Sequence, residues 1–123
     1  MNMKRFVIEF GMGIDFHGQD VNVAASRAVK DAISRSCLVG LNEICGIEAD
    51  DLNENVYIEA IVGVDRPEEL DVKRIEECFP VGKAQVSAVK GGLKSPGFMF
   101  LNFGDKDDTI EVAVASVQVK IND

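Results

Sequence analysis

The sequence is poor in cysteine and histidine, which limits the kinds of covalent and metal site it could form. Its three cysteines, Cys37, Cys45 and Cys78, are an odd number without a CxxC pair. They therefore indicate neither a disulfide framework nor a cysteine zinc site. Free cysteine is among the most often buried residue types, so we expect all three to be small buried side chains. His17 is the only histidine.

Long apolar segments are also lacking. No stretch approaches the roughly 20 apolar residues that a membrane-spanning helix needs. The first residues, MNMKR, lead directly into strand-like sequence, without the apolar core of a signal peptide. We therefore expect a cytoplasmic protein with no membrane partner.

Basic residues are few relative to acidic ones. The chain has 21 acidic and 13 basic side chains and a formal net charge of −8. This excess of negative charge disfavours binding to nucleic-acid backbones, and no basic stripe interleaved with aromatic residues offsets it. We therefore expect no nucleic-acid partner.

What is present has the composition of a folded protein. Apolar residues make up 46% of the chain and charged residues 28%, as in ordinary globular proteins and unlike disordered chains. The 123 residues are near the usual size of one domain, and no linker or repeat interrupts them. We therefore expect a single α+β domain over residues 1–123.

Hydrophobic periodicity predicts both strands and helices. Period-two alternation predicts strands over 4–10, 56–64, 83–89 and 109–121, with a further short strand over 98–103. In the first strand, Phe6, Ile8 and Phe10 form the expected core face.

The best predicted helix covers residues 21–36, with Asp20 as its N-cap. Its apolar stripe is rich in alanine, which lets a helix lie close to a sheet. Pro67 and Pro80 bound a shorter helix. Residues 38–46 stay apolar but contain a glycine, which predicts a frayed helix end or a short second helix.

The last predicted strand is apolar on both faces. Alternate apolar residues over 110–114 fall on one face, whereas those over 117–121 fall on the other. This change of phase implies either a bulge near residues 115 and 116 or burial of both faces. Burial of both faces is easiest when one of them packs on another subunit, so we expect a homo-oligomer.

The most distinctive motif follows the first strand. It reads Gly11-Met12-Gly13-Ile14-Asp15-Phe16-His17-Gly18. Its glycines allow positive φ and close backbone approach, so we expect Gly11, Gly13 and Gly18 to shape a loop that receives a ligand. In extended backbone Asp15 and His17 lie on the same side and can reach one metal ion.

The same two side chains suit acid/base catalysis, because imidazole exchanges protons near neutral pH and Asp15 or Glu9 can orient it. A structural turn is the alternative, with Asp15 capping the turn and His17 bonded to a backbone carbonyl. A dinucleotide fingerprint does not fit, because the third glycine is missing at the required spacing. The acidic segment 105–108 is interpreted as a turn, since it lacks the position-12 glutamate of a calcium loop.

A second glycine-rich segment is a candidate anion site. Lys90 and Lys94 flank Gly91 and Gly92, and glycine backbone with nearby ammonium groups can hold a phosphate or carboxylate. A mobile surface loop with solvated lysines is the alternative. If this segment meets the first motif, within a subunit or across an interface, the two would form one cleft.

The order of predicted elements is strand-helix-strand-helix-strand-strand. It resembles the chorismate-mutase-like α+β fold, a mixed sheet with helices packed on one face. That fold usually forms trimers with ligand clefts between subunits. The resemblance therefore implies a homo-oligomer, with a trimer as its usual form.

The pattern Gly-x-Gly-x-Asp-x-His-Gly over residues 11–18 is similar to the signature of a small conserved-hypothetical family. That family occurs in scattered bacteria and, with an N-terminal extension, in plants, and it has no assigned function. The likeness spans the whole chain. It implies a single domain with this motif as its hallmark.

A stretch of about ten residues around the same motif is also similar to the strand-end Gly-x-Asp-x-His of 2-C-methyl-D-erythritol 2,4-cyclodiphosphate synthase, a trimeric zinc enzyme. This resemblance implies that Asp15 and His17 bind a divalent metal such as zinc. The synthase uses a further histidine as third ligand, which this chain lacks. A third ligand would have to be a glutamate, an aspartate or a cysteine, from this subunit or another.

Two hypotheses of function follow. In the first, a homo-oligomer binds a small anionic metabolite in an inter-subunit cleft between the two glycine-rich segments, with metal-assisted or acid/base catalysis by Asp15 and His17. In the second, the protein is a non-catalytic assembly or interaction module whose glycine motif is a structural turn. Whether the protein is an enzyme stays open at this point.

Overall fold

A computed structural model describes residues 3–122, which form one five-stranded mixed sheet. Its strands are β1 (Met3–Asp15), β2 (Val56–Val64), β3 (Lys83–Lys90), β4 (Leu93–Pro96) and β5 (Thr109–Asn122). The strand order is β1-β5-β2-β3, and β4 also pairs with β5. β5 runs antiparallel to β1, β2 and β4, whereas β2 and β3 are parallel.

The helices lie on one face of this sheet. They are α1 (Val21–Ile33), α2 (Gly40–Glu43), α3 (Leu52–Asn55) and α4 (Val72–Glu76), with single 3₁₀ turns at Ala49–Asp51, Pro67–Glu69 and Leu101–Phe103. α1 packs across β1, β5 and β2, and α4 packs on β3. The predicted mixed α+β sheet with helices on one face is confirmed. No helix among residues 3–122 is long and apolar enough to cross a membrane.

Close packing of α1 on β1 depends on small residues from both elements. Asp20 caps α1, as predicted, by accepting a hydrogen bond from the backbone N of Asn22 at 2.8 Å. The buried stripe of the helix is mostly alanine. Below it, a Cβ atom at Gly13 would overlap the carbonyl oxygen of Ala24, and a Cβ at Gly11 would overlap the next turn of the helix. The predicted close approach of helix and sheet is confirmed.

β1 is longer than predicted, which changes the interpretation of its glycines. The strand continues to Asp15, so Gly11 and Gly13 lie inside it and do not form a loop. Only Gly18 of the three motif glycines has a positive φ, at 100°. The prediction of a three-glycine loop was therefore wrong. Gly11 and Gly13 allow α1 to pack closely on β1, and only Gly18 has the backbone conformation of a turn.

The predicted core face of β1 was right at Phe6, which packs against the core, but wrong at Ile8 and Phe10. Pairing with β5 shifts between Arg5 and Val7, a bulge that exchanges the two faces of the strand. Val7 consequently packs against the core. Ile8 and Phe10 lie on the opposite face, where 45% and 66% of their surfaces are exposed.

β5 alternates without interruption. Its register with β2 is continuous, and its register with β1 is continuous from Glu111 to Val119. Odd-numbered residues over this range are buried under the helices, and even-numbered ones face the other side. The bulge that was one of the two alternatives near residues 115 and 116 is therefore absent from β5, and the other alternative, burial of both faces, stays a prediction.

The segment after β3 forms a strand where a flexible loop was predicted. Gly91 and Gly92 carry the chain past the end of β2, and β4 then pairs with β5 beyond that end. Gly92 has a φ of 71°, and a Cβ atom there would overlap the carbonyl oxygen of Val112. The short strand predicted over 98–103 is wrong, since this segment contains a 3₁₀ turn.

The cysteines lie outside the layer between α1 and the sheet. Cys37 and Cys45 are exposed and Cys78 is half-buried, all as free thiols. The prediction that all three are buried was wrong, because Cys37 and Cys45 lie in irregular segments on either side of α2 and Cys78 follows the end of α4.

Candidate functional site

The carboxyl end of β1 and the amino end of β5 enclose a cluster of buried polar side chains. Asp15, Gln19, Asp105 and Glu111 are each at most 7% exposed, and His17 lies beside them with 32% of its side chain exposed. We call these five residues the polar cluster. They bring the distinctive sequence motif together with the segment that precedes β5.

Asp105 is the centre of this cluster. Its Oδ2 accepts hydrogen bonds from Nδ1 of His17 at 2.7 Å and from the backbone N of Phe100 at 2.8 Å. Its Oδ1 accepts from the backbone N of Gly18 at 2.7 Å and from Nε2 of Gln19 at 3.1 Å. Burial raises the pKa of Asp105, but these hydrogen bonds outweigh it and hold the pKa well below its usual range. An ionised carboxylate only accepts, so Nδ1 of His17 carries the proton.

Gln19 also binds the segment that leads into β5, through backbone groups other than those that contact Asp105. Its Nε2 donates to the carbonyl of Thr109 at 2.8 Å, and its Oε1 accepts from the backbone N of Lys106 at 2.8 Å. Its φ of 51° makes it the one non-glycine residue with a positive φ between residues 3 and 122. Such backbone persists where surrounding contacts determine it, which here are the bonds of a fully buried amide. Sequence reasoning missed Gln19, although it directly follows the motif.

Asp15 and His17 have different partners. Asp15 Oδ2 accepts from the backbone N of Asp20 at 2.9 Å, and Nη1 of Arg27 lies 3.8 Å from its Oδ1. The carboxylate therefore holds the start of α1, whereas His17 is bonded to Asp105. The strand ends at Asp15, so the alternation that would place both side chains together does not continue.

No group of three His, Cys, Asp or Glu side chains within residues 3–122 is placed to hold a metal ion. The predicted zinc site thus finds no third ligand in the described part of one chain. It stays a prediction that would need a ligand from another subunit.

Arg66 connects the polar cluster to the end of β2. Its Nη1 lies 2.6 Å from Oε1 of Glu111, which is 2% exposed, and its Nη2 donates to the carbonyl of Gln19 at 2.7 Å. Burial alone would lower the pKa of Arg66, but Glu111 and Glu69 raise it. Sequence reasoning missed this pair, because only the fold places Arg66 beside β5.

The predicted anion site is connected to the polar cluster through Asp65, which binds Lys90 and precedes Arg66. Nζ of Lys90 donates to the backbone carbonyl and to Oδ1 of Asp65, at 2.6 and 2.8 Å, and Nζ of Lys94 lies 3.9 Å from its Oδ2. The hydrogen bond from Lys90 lowers the pKa of Asp65. Both lysines therefore already neutralise a carboxylate of the same chain. Gly91 and Gly92 carry the chain past the end of β2 into β4.

Beside the polar cluster lies a segment of exposed aromatic and apolar residues, which we call the aromatic loop, residues 97–104. Its large exposed members are Phe98, Met99, Phe100, Leu101 and Phe103. The ring of His17 contacts two of them, with centroid distances of 5.6 Å to Phe100 and 5.0 Å to Phe103. The polar cluster thus holds the base of this loop.

The sheet face opposite the helices is exposed and apolar near the same end. Its large exposed side chains, which we call the open face, are Ile8, Phe10, Met12, Ile61, Val89, Leu93 and Val114. Strand pairing places Met12 opposite Val114 and Phe10 opposite Ser116. Gly97, the first residue of the aromatic loop, lies close to the side chain of Ile110 on this face, so the loop begins beside the open face.

Comparisons with known proteins give a family but no activity. The chain is similar to a solved FtsZ-like protein of unknown function from Nostoc punctiforme PCC 73102, with 36% sequence identity and a TM-score of 0.87. The match covers 100% of this chain and 99% of that one. No curated protein matches the chain. A family model described as a conserved hypothetical protein (Lin0512_fam) matches residues 5–119, and the chain therefore belongs to this conserved hypothetical family.

Proposed function

We propose that the protein is a non-catalytic assembly module, in which copies of the chain associate through the open face and the aromatic loop. The observation that carries this proposal is the apolar face itself. Phe10 and Met12 are 66% and 53% exposed on a regular strand, where polar residues are normally found when a sheet faces water.

The size of the surface supports a second copy as its occupant. The open face crosses four strands, β1, β5, β2 and β3, and runs along residues 8–14 of β1. With about 4.8 Å between strands and about 3.3 Å per residue, this is a flat area of roughly 400 Å². This is within the range of the largest apolar patch on an ordinary monomer, about 300–600 Å², which is often a functional surface, whereas a stable interface covers about 800 Å² per partner. In the proposed contact the exposed side chains of the aromatic loop add to the open face.

One pair of charged residues on the open side of the sheet is already matched. At its far end the face carries Glu59 and Lys120, which are hydrogen-bonded to each other. A self-complementary contact between two copies therefore need not bury an unpaired charge at that position.

In this proposal the motif over residues 11–18, together with Gln19 directly after it, has a structural role. Three consecutive residues, His17, Gly18 and Gln19, bind Asp105, which in turn binds the backbone of Phe100. These bonds fix the aromatic loop beside the open face. Ordering the loop before association lowers the entropic cost of binding.

The test is the mass of the protein in solution, measured by light scattering after size-exclusion chromatography. The unmodified chain should form an oligomer, and Phe10→Lys and Met12→Lys should reduce it to a monomer of unchanged circular dichroism. Ile44→Lys is the matched control, because Ile44 is 84% exposed but lies outside the open face. A monomeric wild type, or an oligomer indifferent to both substitutions, would contradict the proposal. A mass of three subunits would agree with the trimer that the fold resemblance implies.

Binding of a small anionic ligand, predicted from the sequence, stays a prediction and is the second candidate function. One observation favours it: the Lys90–Lys94 segment and the motif are connected through Asp65, Arg66 and Gln19. The charges oppose it, because the same region also carries the carboxylates of Asp65, Glu69 and Glu111. A phosphate titration followed by backbone NMR would reveal such a site as shifts at Gly91 and Gly92.

A further inference from the structure

The end of the sheet remote from the polar cluster contains a cavity of about 350 Å³. It lies on the helix side, between the C-terminal end of α1, the segment from Cys37 to Leu52, and Pro80. It is therefore separate from the open face, and the proposed association does not use it.

The cavity is almost entirely apolar inside. Its walls include Ile33, Leu38, Leu41, Leu52, Ile58 and Phe79. Its mouth reaches solvent, because three further lining residues, Cys37, Val39 and Asn42, are exposed. An aliphatic cavity of about 150 Å³ takes up benzene, and ligand pockets begin near 300 Å³. The volume therefore suits a molecule of about two fused rings.

Glu9 provides the one carboxylate in this lining. It lies on the same face of β1 as Val7 and is half-buried, and its Oε2 accepts a hydrogen bond from Oγ of Ser36 at 2.6 Å. A carboxylate beside an apolar cavity attracts a cationic or hydrogen-bond-donating group and repels an anionic one. The cavity thus has mostly apolar walls and one carboxylate, which favours a ligand with a cationic or hydrogen-bond-donating group.

We propose that this cavity binds a small, two-ring apolar molecule that carries an amine or another cationic donor, with its rings against Leu41, Leu52 and Phe79 and its donor at Glu9. The ligand class is opposite in charge to the anionic metabolite predicted from the sequence. The proposal does not depend on self-association.

The experiment uses the full chain and two probes of equal shape, 1-naphthylmethylamine and 1-naphthoate, titrated by calorimetry. The amine should bind at least tenfold more tightly than the carboxylate. Glu9→Gln is nearly isosteric and should remove that difference. Leu52→Trp should fill the cavity and weaken the amine at least tenfold, whereas Leu70→Trp should not, because Leu70 is also half-buried against the core but outside the cavity.

Chemical shifts locate the bound amine without a substitution. Methyl signals of Leu38, Leu41 and Ile58 should move on titration, and the Met12 methyl on the open face should not. The proposal is overturned if neither probe binds at millimolar concentration, if the carboxylate binds as tightly as the amine, or if the two tryptophan substitutions act equally. It is also overturned if the amine binds only to the monomeric Phe10→Lys variant, since the cavity would then be part of a subunit contact.

Discussion

Nδ1 of His17 lies 2.7 Å from Oδ2 of Asp105, a residue 88 positions later in the chain. The bond joins the end of β1 to the segment that leads into β5, and it directs the Nδ1 proton of the imidazole towards the Asp105 carboxylate. The ring also rests against Phe100 and Phe103. The single histidine of the chain therefore orders the aromatic loop.

Replacing Asp105 with Asn should loosen the aromatic loop. The carboxylate accepts from four donors, whereas an amide presents one oxygen and a competing NH₂ group. We expect a lower Tm and faster chymotrypsin cleavage within residues 97–104. Asp108→Asn is the control, because Asp108 is an exposed carboxylate directly before β5. Equal cleavage of the two variants would show that Asp105 does not hold the loop.

The stability of the protein should fall at acid pH partly through Asp105. Its folded-state pKa is depressed, so its contribution is present above the pKa of an unfolded aspartate, about 3.9. That contribution is lost as pH falls from this value towards the folded-state pKa. Asp31, Asp65 and Asp107 have pKa values shifted in the same direction and add to the effect.

Urea unfolding of wild type and Asp105→Asn between pH 6 and pH 2.5 measures how much of the loss of stability at acid pH is due to Asp105. The free energy of unfolding should decline less steeply below about pH 4 in the variant, because one linked proton is missing. Parallel curves would mean that the hydrogen bonds to Asp105 do not favour its ionised form.

Gly13→Ala should be strongly destabilising. The added Cβ would overlap the backbone of α1 at Ala24, and overpacking of this kind costs about 3 kcal/mol. Gly46→Ala is a useful comparison, since a Cβ there meets nothing within 4 Å but the residue has a φ of 72°. Its cost should be about 1 kcal/mol, from backbone strain alone. Chemical denaturation gives both values, and similar costs would contradict the close-packing explanation.

Removing the guanidinium of Arg66 should cost more than removing an exposed cation. Arg66→Met leaves the buried carboxylate of Glu111 without its partner, which costs about 3–5 kcal/mol. Lys83→Met breaks a largely exposed pair with Glu54, at 3.6 Å, and should cost less than about 1 kcal/mol. The double variant Arg66→Met/Glu111→Leu should recover part of the loss, and a lack of recovery would argue against an unpaired charge as the cause.

Metal content separates a structural motif from a metal site. If His17 and Asp15 serve only the turn, His17→Ala and Asp15→Asn should lower the Tm and leave the zinc content of the purified protein at the wild-type level. Elemental analysis of all three proteins measures this. One zinc per subunit in the wild type, lost in both variants, would instead support the ligand role that the synthase resemblance implies.

Sequence patterns singled out residues 11–18 but did not predict the hydrogen-bond partners of their side chains. The alanine stripe of α1 has a local signature, and the close approach of this helix to the sheet was predicted from it. The matching role of Gly11 and Gly13, which lie inside β1 under α1, was not predicted. The partners of His17 could not be predicted, because Asp105 lies in a segment whose own pattern indicates only a turn. Gln19 and Arg66 were missed for the same reason, since their importance comes from bonds to residues distant in the chain.

By itself the sequence determined the elements whose signals are local: the capped helix α1, the bounds of β2, the start of β3 and the α+β class, because capping and hydrophobic periodicity act over a few residues. Tertiary structure alone decided which face of β1 is exposed, since the bulge between Arg5 and Val7 exchanges the two faces of the strand although the hydrophobic alternation of the sequence continues through it. It also decided that Leu93–Pro96 is a strand, because that segment pairs only where β5 extends past β2. The pairing of His17 with Asp105 arises in the same way, from two chain segments that meet only when the sheet is assembled.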